Sequence, residues 1–211
     1  VGAARWMVTA TNSEGQTQVF LVDPEQAGVH IDAYGPSDGR QAADIYLEQV
    51  AVGHDALLDG ADCSAALERV LAEGIIAACW EATGAMQAAL EQTQLYTQQR
   101  KQFGQAIASF QVVQHRLAEM ATQLEVSREF TYRQAAKMAV GKSVIKEISM
   151  AKNFATDVAD RITYDAVQIL GGMGYMRESL VERLYRDNRI LSIGGGSREI
   201  MNEIISKQLG L

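Results

Sequence analysis

Three stretches of this 211-residue chain set groups suited to phosphate or to a flat ring beside expected helix ends. In Arg100-Lys101-Gln102-Phe103-Gly104-Gln105, the Arg100 guanidinium offers a planar fork for phosphate and the Phe103 ring a flat contact. The same residues equally suit a plain loop between two helices. Gln168-Ile-Leu-Gly171-Gly172 closes an apolar helical run. Glycines there serve as a helix C-cap, and they also leave the backbone bare. Gly194-Gly195-Gly196-Ser197 precedes a last helical run. Free N–H groups and the helix dipole at such a start favour an anion, while Ser197 is in any case a good N-cap. Arg183, Arg186, Asp187 and Arg189 form a charge cluster, whose ordinary role is a solvated or intersubunit ion network. The histidines His30, His54 and His115 are scattered and lack a Glu-x-x-His partner, so no di-iron bundle site is expected. His115, shortly before Glu119, reads as a surface or interface residue. No nucleophile-elbow, Walker or metal-finger spacing is present.

The elements that must position these groups fall into two regions. The first sixty residues read as strands: Arg5–Ala10, Gln16–Val22, Val29–Tyr34 and Asp44–Val50 are rich in β-branched and aromatic residues, with turn chemistry at Asn12-Ser-Glu-Gly15. They are expected to form an antiparallel meander, an incomplete sheet whose edges need covering. After about Gly60 the apolar period becomes helical. One long helix is expected from about Ser64 to Tyr96. A second carries the stripe Phe110, Val113, Leu117, Met120, Leu124, Ser127, Thr131, Ala135 and Met138, and ends at Gly141. A third, with Ser143 as its expected cap, carries Val144, Ile148, Ala151, Ala155, Val158, Ile162, Ala166 and Ile169. A short helix over about Leu180–Asn188 and a final one from near Ser197 complete the chain. The fold class is thus α+β and mainly α: a partial antiparallel β-domain over 1–60, then an up-down four-helix-bundle domain over 61–211.

The formal net charge of −7 argues against non-specific nucleic-acid binding. No window is apolar enough for a membrane span. Cys63 and Cys79, if both lie on one helix, are about 24 Å apart, beyond disulfide reach. Free thiols suit a cytoplasmic setting. The chain begins at Val1 and runs straight into strand-like sequence, as a piece of a longer protein would.

The joint order of Arg100-Lys-x-Phe103-Gly104, Gly171-Gly-x-Gly-Tyr175, Arg186-Asp187 and Gly196-Ser197 before a helix resembles the acyl-CoA dehydrogenase family. The resemblance spans essentially the whole chain. Residues 1 to about 60, including Asp38-Gly-Arg-Gln-Ala-Ala-Asp44, look like the latter part of the family's middle β-domain, and 61–211 like its C-terminal helical domain of the acyl-CoA dehydrogenase type. It implies FAD as cofactor and an acyl-CoA thioester as substrate in fatty acid metabolism. It also implies a homo- or hetero-oligomer, dimer or tetramer, through the helical domain, with an electron-transfer flavoprotein as candidate electron acceptor. By the same resemblance Arg100 and Phe103 reach the FAD of a neighbouring subunit, and Gln111 lies near the flavin. Gln168 and Gly172 run along the adenosine side, and Ser197 contacts the adenine–ribose end.

The family removes a proton from the acyl α-carbon with a buried carboxylate and passes a hydride from the β-carbon to the flavin. One branch carries that glutamate just before the glycine of the last glycine segment, which is Gly195 here. Another carries it on the first long helix, at the position of Gly74. Glu73 is adjacent, but one residue along a helix turns a side chain by about 100°. The arginine that many members carry after the helix position is Ile75 here. Two functions follow as expectations: an acyl-CoA dehydrogenase present as its C-terminal portion, or a non-catalytic subunit of a heteromeric dehydrogenase that supplies flavin contacts and assembly surface.

Overall fold

The computed structural model describes residues 2–58 and 62–211. The expected domain boundary at residues 60 and 61 lies outside the described residues. The chain divides into two compact units that meet in sequence between Leu71 and Ala72.

The first unit holds four six-residue strands: β1 (Trp6–Thr11), β2 (Thr17–Val22), β3 (Val29–Tyr34) and β4 (Ala42–Leu47). β1 and β2 form an antiparallel hairpin in which Trp6 opposes Val22 and Thr11 opposes Thr17. Its turn is built as the sequence implies: Asn12 Oδ1 accepts from the N–H groups of Glu14 and Gln16 at 3.0 and 2.9 Å, and Gly15 has φ +80°. β3 and β4 form a second hairpin, with Val29 opposite Leu47. The two hairpins are separate two-stranded sheets rather than one meander. The fourth strand also starts two residues earlier than its β-branched run suggests. Local alternation sets pairing within a hairpin, but whether hairpins join edge to edge depends on long-range contacts.

From Ser64 on the chain is mainly helical. α1 (Ser64–Gln99) is followed by a two-residue hairpin, β5 (Lys101–Gln102) with β6 (Gln105–Ala106). α2 (Gln111–Ala139), α3 (Ile145–Leu170), α4 (Leu180–Asn188) and α5 (Arg198–Leu209) complete it. Three helices are therefore long, and α4 and α5, at 9 and 12 residues, are short. Gly141, with φ +77°, closes α2 by donating to the Met138 carbonyl at 2.9 Å. Ser143 does not cap α3: the N-cap is Val144, without a side-chain bond.

The expected stripes form the core. Met120, Leu124, Ala151, Ala155, Val158, Ile162 and Ala166 are buried with Cys79, Ala82, Met86 and Ala89 of α1. Threonines share these faces without an unpaired hydroxyl. Thr83, Thr93, Thr131, Thr156 and Thr163 each donate to the carbonyl four residues back, at 2.7–2.9 Å. Two contacts per helix pair fix direction. Trp80 of α1 meets Tyr132 of α2 and Gln87 accepts from Arg128, while Arg116 of α2 pairs with Asp165 of α3 at 3.7 Å and Met138 packs with Val144 and Ile148. Both α1 and α3 thus run antiparallel to α2 and parallel to each other. This carries the C-terminal ends of α1 and α3 to one end of the bundle.

Candidate functional site

The bundle sorts the sequence-derived residues into two groups. At the end reached by α1 and α3 stand Arg100, Phe103, Gln168 and Gly172. Arg100 follows α1 directly. Its N–H donates to Tyr96 O and its carbonyl accepts from the Ile107 N–H, both at 2.8 Å, so the backbone is pinned on either side of the hairpin. What reads as a loop is therefore a short, defined hairpin. Phe103 sits at its tip with φ +51°, followed by Gly104 at φ +82°, and the ring is 93% exposed. Its one ring contact among the described residues is an edge contact with Phe110, at 6.2 Å between ring centroids. A strained backbone holding an aromatic ring in water is costly without a partner. Gln111, exposed, is the first residue of α2.

Gln168 is exposed on the last turn of α3, and its carbonyl accepts from Gly171 N–H, with Gly171 at φ +60°. Residues 171–175 form a tight 3-10 turn. Its glycines differ in role. A Cβ on Gly174 would lie 2.6 Å from Val167 O, so packing requires that glycine. Nothing lies within 4 Å of a Cβ on Gly172, which is exposed, so packing does not require that one. Met173 and Tyr175 beside it are 61% and 82% exposed.

The second group forms where α1 and α3 begin. Ile75, Ile76, Val144, Ile148 and Met201 share a small apolar cluster. Gly74 lies on α1 beside Ile75, and Gly196 is pressed against Met201, whose Cε stands 2.5 Å from where a Gly196 Cβ would be. Gly74 and Gly195, the two positions that the resemblance matched to the family's base, thus lie on segments that meet at this cluster. A Cβ at either would meet nothing within 4 Å. Glu73 is exposed on α1. Ser197 is the N-cap of α5, its Oγ accepting from Ile200 N–H at 3.4 Å. Within one chain Ser197 does not join Gln168. The start of α5 is held to α3 at Lys152, at Asn153 through Asn202 (2.8 Å), and at Asp157 through an ion pair with Arg198. Those contacts lie eleven to sixteen residues before Gln168, roughly 16–24 Å along the helix.

The remaining groups resolve simply. Arg186 bridges Glu182 at 3.0 Å and Asp187 at 3.2 Å, and its hydrogen bond holds the Glu182 carboxyl below the usual range. Within the cluster, Glu182, Arg186 and Asp187 form an ion network inside the chain, and Arg189 donates to Ser192. His115 is exposed, and no metal-holding cluster exists among the described residues. Cys63 precedes α1 and Cys79 lies within it, and neither is in a disulfide; burial pushes the Cys79 thiol up to about 12, against the opposing effect of Lys152.

Two features escaped sequence reasoning. Lys152 of α3 is only 1% exposed, and its ammonium donates to Gly196 O. Burial lowers its pKa. Its signal was present: Lys152 stands four residues after Ile148 and three before Ala155, in the middle of an apolar stripe. Asp160 accepts from Asn188 Nδ2 at 3.0 Å and is pushed up by burial, while Asn188 Oδ1 is buried with no partner. That pairing crosses helices and has no local signature.

These positions can be set against known proteins. Residues 63–210 match the family model for the acyl-CoA dehydrogenase C-terminal domain. The chain belongs to the acyl-CoA dehydrogenase family. It is 38% identical over 196 residues to a 3-(aryl)acrylate reductase of Clostridium sporogenes, covering 90% of this chain and 52% of that protein. It is 35% identical over 198 residues to the caffeyl-CoA reductase–Etf complex subunit CarC of Acetobacterium woodii, covering 90% and 51%. The crystal structure of acyl-CoA dehydrogenase from Geobacillus kaustophilus superposes with a TM-score of 0.91 at 29% identity, over 100% of this chain and 58% of that one. The chain spans about half the length of the curated relatives it matches.

Proposed function

We propose that this chain is the C-terminal portion of an FAD-dependent acyl-CoA dehydrogenase and supplies flavin contacts to a site shared between copies. The observation that carries the reading is the state of the hairpin tip. Phe103 is held at positive φ and 93% exposed beside the exposed Arg100, at the same bundle end as the bare backbone of Gly172. A ring surface, a guanidinium and a glycine with open space suit an isoalloxazine or adenine, a pyrophosphate and a closely approaching ribose. The domains proposed are a partial middle β-domain and a C-terminal helical bundle.

Bound FAD would accept a hydride from the acyl β-carbon. The chain's own part is to hold that cofactor. Arg100 neutralises phosphate charge, Phe103 covers a ring and excludes water from it, and Gln111 and Gln168 offer amide hydrogen bonds. Gly172 permits close approach, and Ser197 orients the adenosine end from the start of α5. Because the α3 residues that hold the Ser197 segment lie far along that helix from Gln168, each serves a different flavin in an assembled oligomer, a dimer or tetramer formed through the helical domain. An electron-transfer flavoprotein as electron partner is supported by the relative named as part of an Etf complex.

A second reading has its own support. Both positions that carry the base in the family are glycine, and Glu73 faces another direction on α1. In that reading the chain belongs to a non-catalytic subunit that works beside a catalytic partner. One experiment separates them: express the full-length protein alone and follow bleaching of its flavin spectrum by acyl-CoA. Turnover without a partner, abolished by Glu73→Gln, establishes the first reading. Flavin and activity that appear only on co-expression with a homologous subunit establish the second. A full-length assembly that never holds flavin defeats both.

A further inference from the structure

We infer that Lys152 is a positioning residue: its buried ammonium ties the 194–196 glycine segment to α3 and so sets the place from which Ser197 meets the dinucleotide. The functional half of this inference rests on the flavin reading above; the tether itself does not.

Lys152 is the largest fully buried side chain among the described residues, 1% exposed on the apolar face of α3. A lysine is almost never found so deep without a compensating group. The bond it makes there is to a backbone carbonyl, that of Gly196. Cys79, across on α1, is also fully buried and lies close enough to interact with it. Its thiol is neutral, so it supplies no counter-charge. Nothing in simple core packing calls for a charge at this point, where a methionine or leucine would fill the same volume at less desolvation cost.

The Gly196 carbonyl has need of it. Gly195 and Gly196 both have positive φ, +65° and +96°, so the chain turns sharply just before α5. Residues that adopt such angles freely need an external contact to select one conformation. The cap at Ser197 is long, 3.4 Å, and fixes the segment only weakly. The Lys152 bond arrives one residue before Ser197, from a helix that is itself rigidly packed, and so fixes the approach to α5. Asp157 through Arg198 and Asn153 through Asn202 hold the helix beyond it. Lys152 alone among these holds the glycines. The bond falls one residue after Gly195, so the tether also sets the backbone there.

The test uses the full-length assembled protein with Lys152→Met and, as a second variant, the shorter neutral Lys152→Gln. Two quantities are read: amide hydrogen exchange of the peptide spanning residues 193–198, and the rate at which FAD is lost on dilution. Removing the tether should speed exchange in that peptide tenfold or more and FAD loss several-fold. Exchange in the core of α3 and the thermal midpoint should stay at wild-type values, since a buried charge is removed together with its bond. Wild-type exchange at 193–198 in both variants overturns the inference. Exchange that rises equally throughout α1 and α3 also overturns it, because Lys152 would then be a core residue and not a tether. Wild-type protein without flavin defeats the flavin reading alone and leaves the exchange arm to decide on Lys152. Faster exchange with unchanged FAD loss confirms the tether and overturns its link to the cofactor.

Discussion

The paired substitutions Gly172→Ala and Gly174→Ala separate packing from ligand approach within one five-residue turn. A Cβ on Gly174 lands 2.6 Å from Val167 O and 2.9 Å from Leu170 Cβ, both part of α3. Ordinary contact needs roughly 3.5 Å or more, so the turn must shift by more than half an ångström against helix backbone that cannot rotate away. Overpacking of this kind costs about 1–3 kcal/mol. Taking about 2 kcal/mol, and a urea slope of about 2 kcal/mol/M, the unfolding midpoint should fall by roughly 1 M. At Gly172 an added methyl meets nothing within 4 Å, and the residue is exposed. Its stability cost should stay within about 0.5 kcal/mol. Flavin retention should nonetheless drop, because the methyl occupies the space through which the dinucleotide approaches. Urea melts and FAD content after desalting, both on the full-length protein, give the two readouts. A Gly174→Ala midpoint equal to wild type would refute the packing reasoning, and full flavin in a stable Gly172→Ala protein would refute the ligand-approach reasoning.

Asp160→Asn should stabilise the protein at pH 7 by about 1 kcal/mol, since the new amide can accept from Asn188 Nδ2 and also give the orphaned Oδ1 a donor. Burial raises the Asp160 pKa above its ordinary 3.8, so the folded state binds the proton more tightly. Its cost therefore grows as pH rises through that range, and the advantage of the variant should shrink in melts below about pH 4. A thiol pushed up to about 12 and 0% exposed should resist modification at pH 8 in the folded protein. Mass spectrometry after brief alkylation should find label at Cys63 and none at Cys79; rapid labelling of Cys79 would contradict its burial. Gly74→Glu should fit without clash and gain about 0.5–1 kcal/mol in helix propensity. Flavin bleaching by acyl-CoA should exceed that of the parent, and a loss of stability would show the corner to be closed.

The long helices were legible because their stripes repeat: Ile148, Ala151, Ala155, Val158 and Ile162 announce a buried face on periodicity alone. The β-hairpins were legible for the same reason, down to the Asn12–Gly15 turn, whereas their separation into two sheets was not, because no local pattern encodes which edges meet. Ser143 misled because a capping residue is recognised by type, while the helix start was set by where Val144 enters the apolar cluster. The site residues were read from the order of short segments, the same order that pointed to the family whose C-terminal domain residues 63–210 match. Their three-dimensional grouping was hidden. Pairs such as Arg128–Gln87 and Arg116–Asp165 join helices distant in sequence and put Arg100 and Gln168 at one end, and the cluster shared by Ile75 and Met201 places the segments of Gly74 and Gly195 at the other.

The flavin-sharing site is tested most directly by the FAD that the full-length assembly keeps when Arg100 is removed. One charge-assisted contact contributes roughly 1.5–3 kcal/mol, so Arg100→Ala should weaken FAD binding about ten- to hundredfold, with the urea midpoint unchanged because the side chain is exposed. Flavin occupancy after dialysis equal to that of the wild type would contradict the assignment of the hairpin to the cofactor.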